Sequence, residues 1–147
     1  MLYTPLTKQA MKLCYQAHKD QLDKSGIPYI FHPIHLAEQM PDELTTIVAL
    51  LHDVVEDTDY TLEDLAKMGF PQEAVDAIAL MTHEEDVPYM TYVAEISRNP
   101  IARIVKLADL RHNSTLSRLD HVDDKALRRV EKYAEAIRLL EEMSPES

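Results

Sequence analysis

Four side chains able to bind a metal ion or move a proton stand close together in this sequence: His52, Asp53, Glu56 and Asp57. At about 100° per residue, the period of an α-helix, these four side chains fall on one arc of residues 44–57. The opposite arc is wide and apolar, and it carries Leu44, Ile47, Val48, Leu50, Leu51, Val54 and Val55. Three carboxylates on one helical face repel one another unless a cation or a proton neutralises them. The pattern therefore predicts a central helix that presents a His-Asp pair to a divalent metal ion, against the alternative of a solvated acidic face on a surface helix.

The rest of the chain also has helical spacing, which predicts an all-α fold. Glycine occurs only at positions 26 and 69, and alternating runs of β-branched residues are absent. Helices are predicted over about residues 6–21, 33–40, 44–57 behind an Asp42 N-cap, 61–69, 71–81, 89–97, 100–112 and 123–143. The last helix is expected to face inward through Leu127, Val130, Ala134, Ile137 and Leu140. Residues 82–88 form an acidic connection, which we interpret as a solvated loop in preference to a lid.

Length and composition limit the possible functions. A chain of 147 residues with 46% hydrophobic residues is expected to form one domain over residues 1–147, with a frayed tail at 144–147. The formal net charge of -11 argues against broad binding to nucleic acid or to an anionic membrane. No apolar run approaches the roughly 18 residues of a membrane span, and no signal peptide is evident. Cys14 is alone, which excludes an intrachain disulfide and favours a cytoplasmic location.

Two more side chains can complete a metal site around the His-Asp pair. His32 stands before a proline at a turn, one short helix ahead of the central helix, although such a histidine can also simply bond to a nearby backbone group. Asp109 lies in an apolar helix, where a lone carboxylate is costly unless it is paired or binds a metal. Lys106, Asp109 and Asn113 share one helical face, so the alternative role for Asp109 is an ion pair with Lys106. The functional interpretation makes Asp109 the fourth ligand, with Lys106 and Asn113 beside it for phosphate and sugar.

Together, His32, His52, Asp53 and Asp109 would form a ligand set of two imidazoles and two carboxylates. In an octahedral site two positions would remain for water and a phosphate oxygen, which is what metal-dependent hydrolysis requires.

Three blocks of sequence resemble a known family. The order His…His-Asp…Asp is similar to the HD superfamily of metal-dependent phosphohydrolases, which are all-helical. Residues 24–33 (KSGIPYIFHP) resemble the K-S-G-x-P-Y-x-x-H-P segment of the RelA/SpoT-type alarmone hydrolases. Residues 50–58 (LLHDVVEDT) resemble their L-L-H-D-x-x-E-D-T segment, and residues 105–113 (VKLADLRHN) resemble V-K-L-A-D-x-x-x-N.

This resemblance implies an all-α, HD-like helical bundle that removes the 3′-pyrophosphate of guanosine tetraphosphate or pentaphosphate, usually with manganese. It implies that the four residues named above hold the metal, and that Glu56 and Asp57 orient or activate the attacking water. It further implies that Lys24 and Asn113 contact the nucleotide. A single domain of this length leaves no room for a synthetase, so synthesis of the alarmone is not expected.

Two departures from the family pattern concern recognition of the base and the sugar. The family commonly has an arginine before the lysine, where this chain has Asp23, and a threonine where this chain has Leu116. These departures favour, as an alternative, hydrolysis of another nucleotide, such as a deoxynucleoside monophosphate or a different 3′-phosphorylated nucleotide. A binding module without turnover is a further alternative, against which the Glu56-Asp57 pair argues. A purely structural helical protein would leave the four ligand-type residues unexplained.

Overall fold

The computed structural model describes residues 1–115, 119 and 121–142 of the chain. Within these residues there are nine α-helices and no β-strand, apart from one isolated bridge between Leu22 and Pro28. The all-α prediction is therefore confirmed. The expectations for Leu116 and for the tail at 144–147 lie outside the described residues. The helices are α1 (Pro5–His18), α2 (Phe31–Glu38), α3 (Glu43–Leu51), α4 (Val54–Asp57), α5 (Leu62–Lys67), α6 (Gln72–Met81), α7 (Tyr89–Ser97), α8 (Pro100–Asn113) and α9 (Asp124–Glu142).

Helix α3 is the centre of the fold. It packs against α1, α2, α6 and α8, and every residue from Thr45 to Leu51 is buried. A helix that is buried on all sides needs apolar residues or hydrogen-bonded polar groups around its circumference. Residues 47–51 are apolar, and the hydroxyls of Thr45 and Thr46 donate to the carbonyl oxygen of Asp42. The predicted central position of this helix is confirmed.

The prediction of one continuous helix through residue 57 is wrong, because the helix breaks at His52 and Asp53. The imidazole Nδ1 of His52 donates to the carbonyl oxygen of Ala49 at 2.8 Å. In an unbroken helix that carbonyl would accept the backbone N–H of Asp53. The side chain thus competes with the helical ladder, and Asp53 takes φ -100° and ψ -2° before α4 begins. The break thus lies at His52 and Asp53, the pair that the sequence analysis predicted to bind a divalent metal.

Polar caps set the starts of several helices. As predicted, Asp42 caps α3, accepting the backbone N–H of Thr45 at 2.9 Å, while the Thr45 hydroxyl reaches back to the Asp42 backbone in a capping box. Asn99 caps α8, whose first residue is a proline. These caps satisfy backbone donors that have no partner inside the helix, and they fix where the two site-bearing helices begin.

Helix α9 covers α7 and α8 with one face only. Ala126, Ala136 and Leu140 are its buried residues. Leu127, which was expected to face inward, is 47% exposed, so that expectation is wrong. The exposed position of Leu127 in the first turn leaves the adjacent Ala126 as the residue that packs. No helix within the described ranges has both the length and the apolar character needed to cross a membrane.

Replacing the α3 cap tests this description of the central helix. We expect Asp42→Ala to lower the free energy of unfolding by about 1 kcal/mol, the usual cost of losing an N-cap. Urea denaturation followed by circular dichroism measures this, with Asp59→Ala at an exposed position as the matched control. An Asp42→Ala midpoint equal to that of the control would show that the cap contributes nothing.

Candidate metal centre and adjoining cleft

The structure brings together residues that are far apart in the sequence. His32 lies on α2, His52 and Asp53 form the break between α3 and α4, and Asp109 lies on α8. His32, His52 and Asp109 are all buried, and one ligand atom from each lies within 4.8 Å of the other two. These three residues form a group that can hold a metal ion.

The separations between possible ligand atoms are those of neighbours around one ion. His32 Nε2 lies 2.8 Å from Asp109 Oδ1, and His52 Nε2 lies 3.5 Å from the same oxygen. Asp53 Oδ2 lies 3.2 Å from His52 Nε2. Adjacent ligands about 2.1 Å from a metal stand roughly 3 Å apart. Asp53 therefore lies beside the group of three, as the sequence predicted.

His52 shows that the centre suits a cation. Its Nδ1 donates to Ala49, which leaves Nε2 as the atom directed toward the two carboxylates. That Nε2 is buried and has no hydrogen-bond partner within the described part of the chain, although Asp53 and Asp109 lie at ion-pair distance. An unprotonated Nε2 facing carboxylate oxygens is unfavourable unless a proton or a cation lies between them. The donor set therefore fits a divalent ion.

Residues outside this set of four hold the carboxylates in place. Lys106 Nζ lies 3.0 Å from Asp109 Oδ2, and Asn113 Nδ2 donates to Asp109 Oδ1 at 3.2 Å. The ion pair considered as an alternative for Asp109 is thus present together with the two imidazoles. Tyr29, which the sequence offered only as part of a motif, donates its hydroxyl to Asp53 Oδ2. Such outer contacts orient metal-binding side chains.

The charges of the centre shift its pKa values strongly. Burial alone would raise the pKa of Asp109, but Lys106 and the two imidazoles hold it well below its usual range. Burial likewise opposes ionisation of His52, yet the carboxylates of Asp53 and Asp109 raise its pKa well above the usual value. The same two carboxylates would attract a divalent cation to this position.

Glu56 and Asp57 lie on α4 at the edge of the centre, and both are exposed. Partial burial, followed by the nearby carboxylates of Asp53 and Asp57, raises the pKa of Glu56. Burial and Asp53 also raise the pKa of Asp57. A carboxylate with a raised pKa is a better proton acceptor at neutral pH than an ordinary one.

A cleft of about 510 Å³ joins the centre to solvent, with Asp53, Glu56, Asp57, Lys106 and Asp109 among its lining residues. A second cavity of about 340 Å³ lies beside it. Lys24, Asn113 and Tyr133 line both. A ligand that spans the two cavities would therefore lie against the residues predicted to contact a nucleotide.

Basic and aromatic side chains from α9 line this second cavity, which the sequence did not predict. Arg129 and Tyr133 both face it. Burial lowers the pKa of Lys24, and the positive charges of Arg129 and Lys125 lower it further. Positive charge is thus concentrated here in a protein of net charge -11. The spacing of four residues between Arg129 and Tyr133, one helical turn, was the available signal.

The acidic connection between α6 and α7 contributes one residue to the site. Glu84, Glu85 and Asp86 are exposed, in keeping with a solvated loop. His83, however, packs on Tyr92 with ring centroids 4.5 Å apart and lines the cleft. The start of this connection is therefore part of the cleft wall.

Comparisons with known proteins identify relatives of this chain. No protein-family model matches the chain. It is 36% identical to a probable GTP pyrophosphokinase of Mycobacterium leprae over 120 residues, or 74% of this chain and 15% of that protein. It is 35% identical to a guanosine-3′,5′-bis(diphosphate) 3′-pyrophosphohydrolase of Borreliella burgdorferi over 123 residues, or 73% of this chain and 18% of that protein. The chain thus spans less than a fifth of the length of these relatives.

A solved structure shares the fold. It is that of a metazoan orthologue of SpoT, described as hydrolysing ppGpp and as having a role in starvation responses. The TM-score is 0.77 at 22% sequence identity, and the match covers 99% of this chain and 90% of the other. The two proteins therefore share the same helical fold.

The raised pKa of Glu56 makes a prediction about stability. Because the folded state favours the protonated form, the metal-free protein should lose stability as pH rises from the usual glutamate value, about 4.3, through the raised pKa. Glu56→Gln removes this effect. In the presence of a chelator, we expect the variant to have a higher melting temperature than the wild type at pH 7. The two melting temperatures should become equal near pH 4. A lower melting temperature of the variant at pH 7 would show that the Glu56 charge is stabilising.

Proposed function

Because the chain is homologous to a segment of the RelA/SpoT-type proteins, we propose that it is a metal-dependent phosphohydrolase that removes the 3′-pyrophosphate of guanosine tetraphosphate or pentaphosphate. One observation carries the proposal: the buried side chains of His32, His52 and Asp109 meet beside the half-buried Asp53. They lie at a cleft that also holds Glu56 and Asp57. The name of the relative from Borreliella burgdorferi specifies this reaction.

The four residues would hold one divalent ion. Mixed imidazole and carboxylate ligands accept several divalent metals, and we propose manganese because the alarmone hydrolases that this sequence resembles usually use it. When bound, such an ion lowers the pKa of water and withdraws charge from a phosphoryl oxygen. Neighbouring side chains orient the proposed ligands through hydrogen bonds. Tyr29 donates to Asp53, and Lys106 and Asn113 donate to Asp109. Removal of a ligand should therefore disturb the neighbouring ligands as well.

Glu56 and Asp57 are proposed to orient the attacking water and to accept its proton. Both line the cleft beside Asp53, and the pKa of each is raised toward the working pH. Glu56 also faces the positive charge of Lys106, which lowers its pKa in part. A carboxylate whose pKa is raised by neighbouring carboxylates and partly lowered by a lysine can take up a proton and release it in each turnover.

Lys24, Asn113 and Lys106 are proposed to contact the nucleotide. Lys24 and Asn113 line both cavities, so they can lie between the reacting phosphate and the rest of the substrate. Arg129 adds positive charge to the outer cavity, where a second phosphate group would be stabilised. Lys106 lies against Asp109 at 3.0 Å and lines the cleft, where its ammonium can face a phosphate oxygen.

A second candidate is the hydrolysis of a different nucleotide, and Asp23 is the residue that favours it. Its Oδ1 accepts the backbone N–H groups of Ser25 at 2.8 Å and Ile27 at 3.0 Å, which holds the side chain in the turn. Asp23 also lines the outer cavity next to Lys24. Asp23 thus places a negative charge in the wall of the outer cavity, where the family commonly has the positive charge of an arginine. A base and its phosphates would meet a different environment there.

Product analysis distinguishes the two candidates. We expect purified protein with Mn²⁺ to release pyrophosphate and guanosine diphosphate from guanosine tetraphosphate, and to leave deoxynucleoside monophosphates intact. Release of inorganic phosphate from the monophosphates alone would favour the second candidate. No product from any member of the panel would contradict both.

Two variants test the assigned roles. Asp53→Ala should abolish both Mn²⁺ binding and turnover. Glu56→Gln should retain Mn²⁺ binding and reduce kcat by ~10²–10⁴-fold, the range for loss of acid–base assistance. Calorimetry of the metal-free protein and a pyrophosphate-release assay measure the two effects separately. Unchanged kcat in Glu56→Gln would exclude Glu56 as the proton acceptor.

Asp23→Asn tests the role of the charge in the outer cavity. The asparagine oxygen can still accept both backbone N–H groups, so the turn is kept while the negative charge is removed. The KM for guanosine tetraphosphate should fall by roughly 3–10-fold, because about 1 kcal/mol of repulsion from a nearby like charge is lost. Asp20→Asn, at an exposed position, is the matched control. Equal KM values for both variants would mean that Asp23 lies too far from the phosphates to influence them.

A further inference from the structure

A second histidine lies in line with His32, on the side of its ring opposite Asp109. His32 Nε2 lies 2.8 Å from Asp109 Oδ1, and His32 Nδ1 lies 2.7 Å from Nδ1 of His112. The two ring planes differ by only 9°, and their centroids are 4.9 Å apart. This separation is close to the N–N distance plus the two ring radii, so the rings meet edge to edge in nearly one plane. That is the geometry of an N–H···N hydrogen bond.

Such a bond contains one proton, and its location decides what His32 can do. A histidine binds a metal through an unprotonated nitrogen. If Nε2 is to be the ligand atom of neutral His32, its Nδ1 must carry the proton and donate it in a hydrogen bond. The acceptor within reach is Nδ1 of His112.

We infer that His112 is a positioning residue of the metal centre, whose Nδ1 accepts the Nδ1–H of His32 and so fixes the tautomer and orientation in which His32 Nε2 can bind a divalent cation. The inference rests on the metal site of the proposed function and extends it to a residue that the sequence placed only at a helix end. His112 does not touch the ion in this arrangement.

The surroundings support this role. His112 follows Asp109 by three residues on α8, so one helix supplies both a proposed ligand and the group that orients another. The ring of His35 packs against His112 with centroids 4.3 Å apart, which limits rotation of the His112 ring. His52 has the same arrangement, since its Nδ1 donates to Ala49 and its Nε2 faces Asp109. Each imidazole thus has Nδ1 engaged and Nε2 directed at the centre.

Paired substitutions at position 112 test the inference through metal affinity. His112→Leu keeps the bulk of the side chain and removes the acceptor. His112→Asn retains an acceptor oxygen near the position of Nδ1. Calorimetric titration of the metal-free protein with Mn²⁺ measures the affinity. We expect the leucine variant to bind Mn²⁺ ~10–100-fold more weakly than the wild type, which is the usual cost of losing such a contact. The asparagine variant should recover most of this loss. His35→Leu, which removes a neighbouring imidazole and keeps the hydrogen bond, should stay within about 3-fold of the wild type.

The outcomes separate this inference from the function on which it rests. A wild type that binds no Mn²⁺ would contradict the metal-dependent function itself. A wild type that binds Mn²⁺, with unchanged affinity in His112→Leu or an equal loss in both variants, would overturn the role of His112 alone. Long-range ¹H–¹⁵N spectra of the Zn²⁺-loaded wild type provide a check that needs no substitution. We expect His112 to carry its proton on Nε2, and a proton on its Nδ1 would overturn the inference.

Discussion

The structure depends on the compensation of charge around two neighbouring carboxylates, of which Asp109 is buried and Asp53 is half-buried. The carboxylate oxygens of Asp53 and Asp109 lie 3.2 and 3.5 Å, respectively, from the buried Nε2 of His52. Isolated carboxylates there would be strongly unfavourable, so the fold must surround them with cations, hydrogen-bond donors or both. Lys106 supplies one positive charge and the imidazoles supply donors or lone pairs. A divalent ion would complete the compensation.

The need to compensate these charges explains both where α3 ends and which side chains α8 presents to the centre. Helix α3 crosses the core and is buried from Thr45 to Leu51, yet it must end where a charged pair begins. The bond from His52 Nδ1 to Ala49 ends it there without glycine or proline. Helix α8 then presents Lys106, Asp109, His112 and Asn113 from successive turns of one face. The core of the fold and the site therefore share the same two helices.

The fold class, some helix bounds and the candidate metal-binding residues could be predicted from the sequence, because they follow from local patterns. Helical periodicity gave the all-α class and the bounds of α7, and the Asp42 cap was evident from its position. The order of His32, His52, Asp53 and Asp109 identified the residues that meet at the centre. The break after α3 was not predictable from periodicity, because it arises from a side chain that competes for a backbone acceptor. Leu127 was misplaced because the first turn of α9 packs through the adjacent Ala126, which the periodic pattern did not select.

The residues missed by sequence reasoning act across the fold. Tyr29 reaches Asp53 over 24 positions, and His112 reaches His32 over 80. Arg129 and Tyr133 line the outer cavity because α9 packs back on α8. The contacts of Tyr29 and His112 have no spacing rule in one sequence, since each depends on how helices pack. The one-turn spacing of Arg129 and Tyr133 indicates only that these two side chains share a face.

The central claim is that one divalent ion binds among His32, His52, Asp53 and Asp109. Crystals of the protein grown with Mn²⁺, measured above and below the manganese absorption edge, test it most directly. The account predicts a single strong anomalous peak within bonding distance of His32 Nε2, His52 Nε2 and carboxylate oxygens of Asp53 and Asp109. A strong peak elsewhere, with no peak at this centre and the His52–Asp53–Asp109 contacts unchanged, would contradict it.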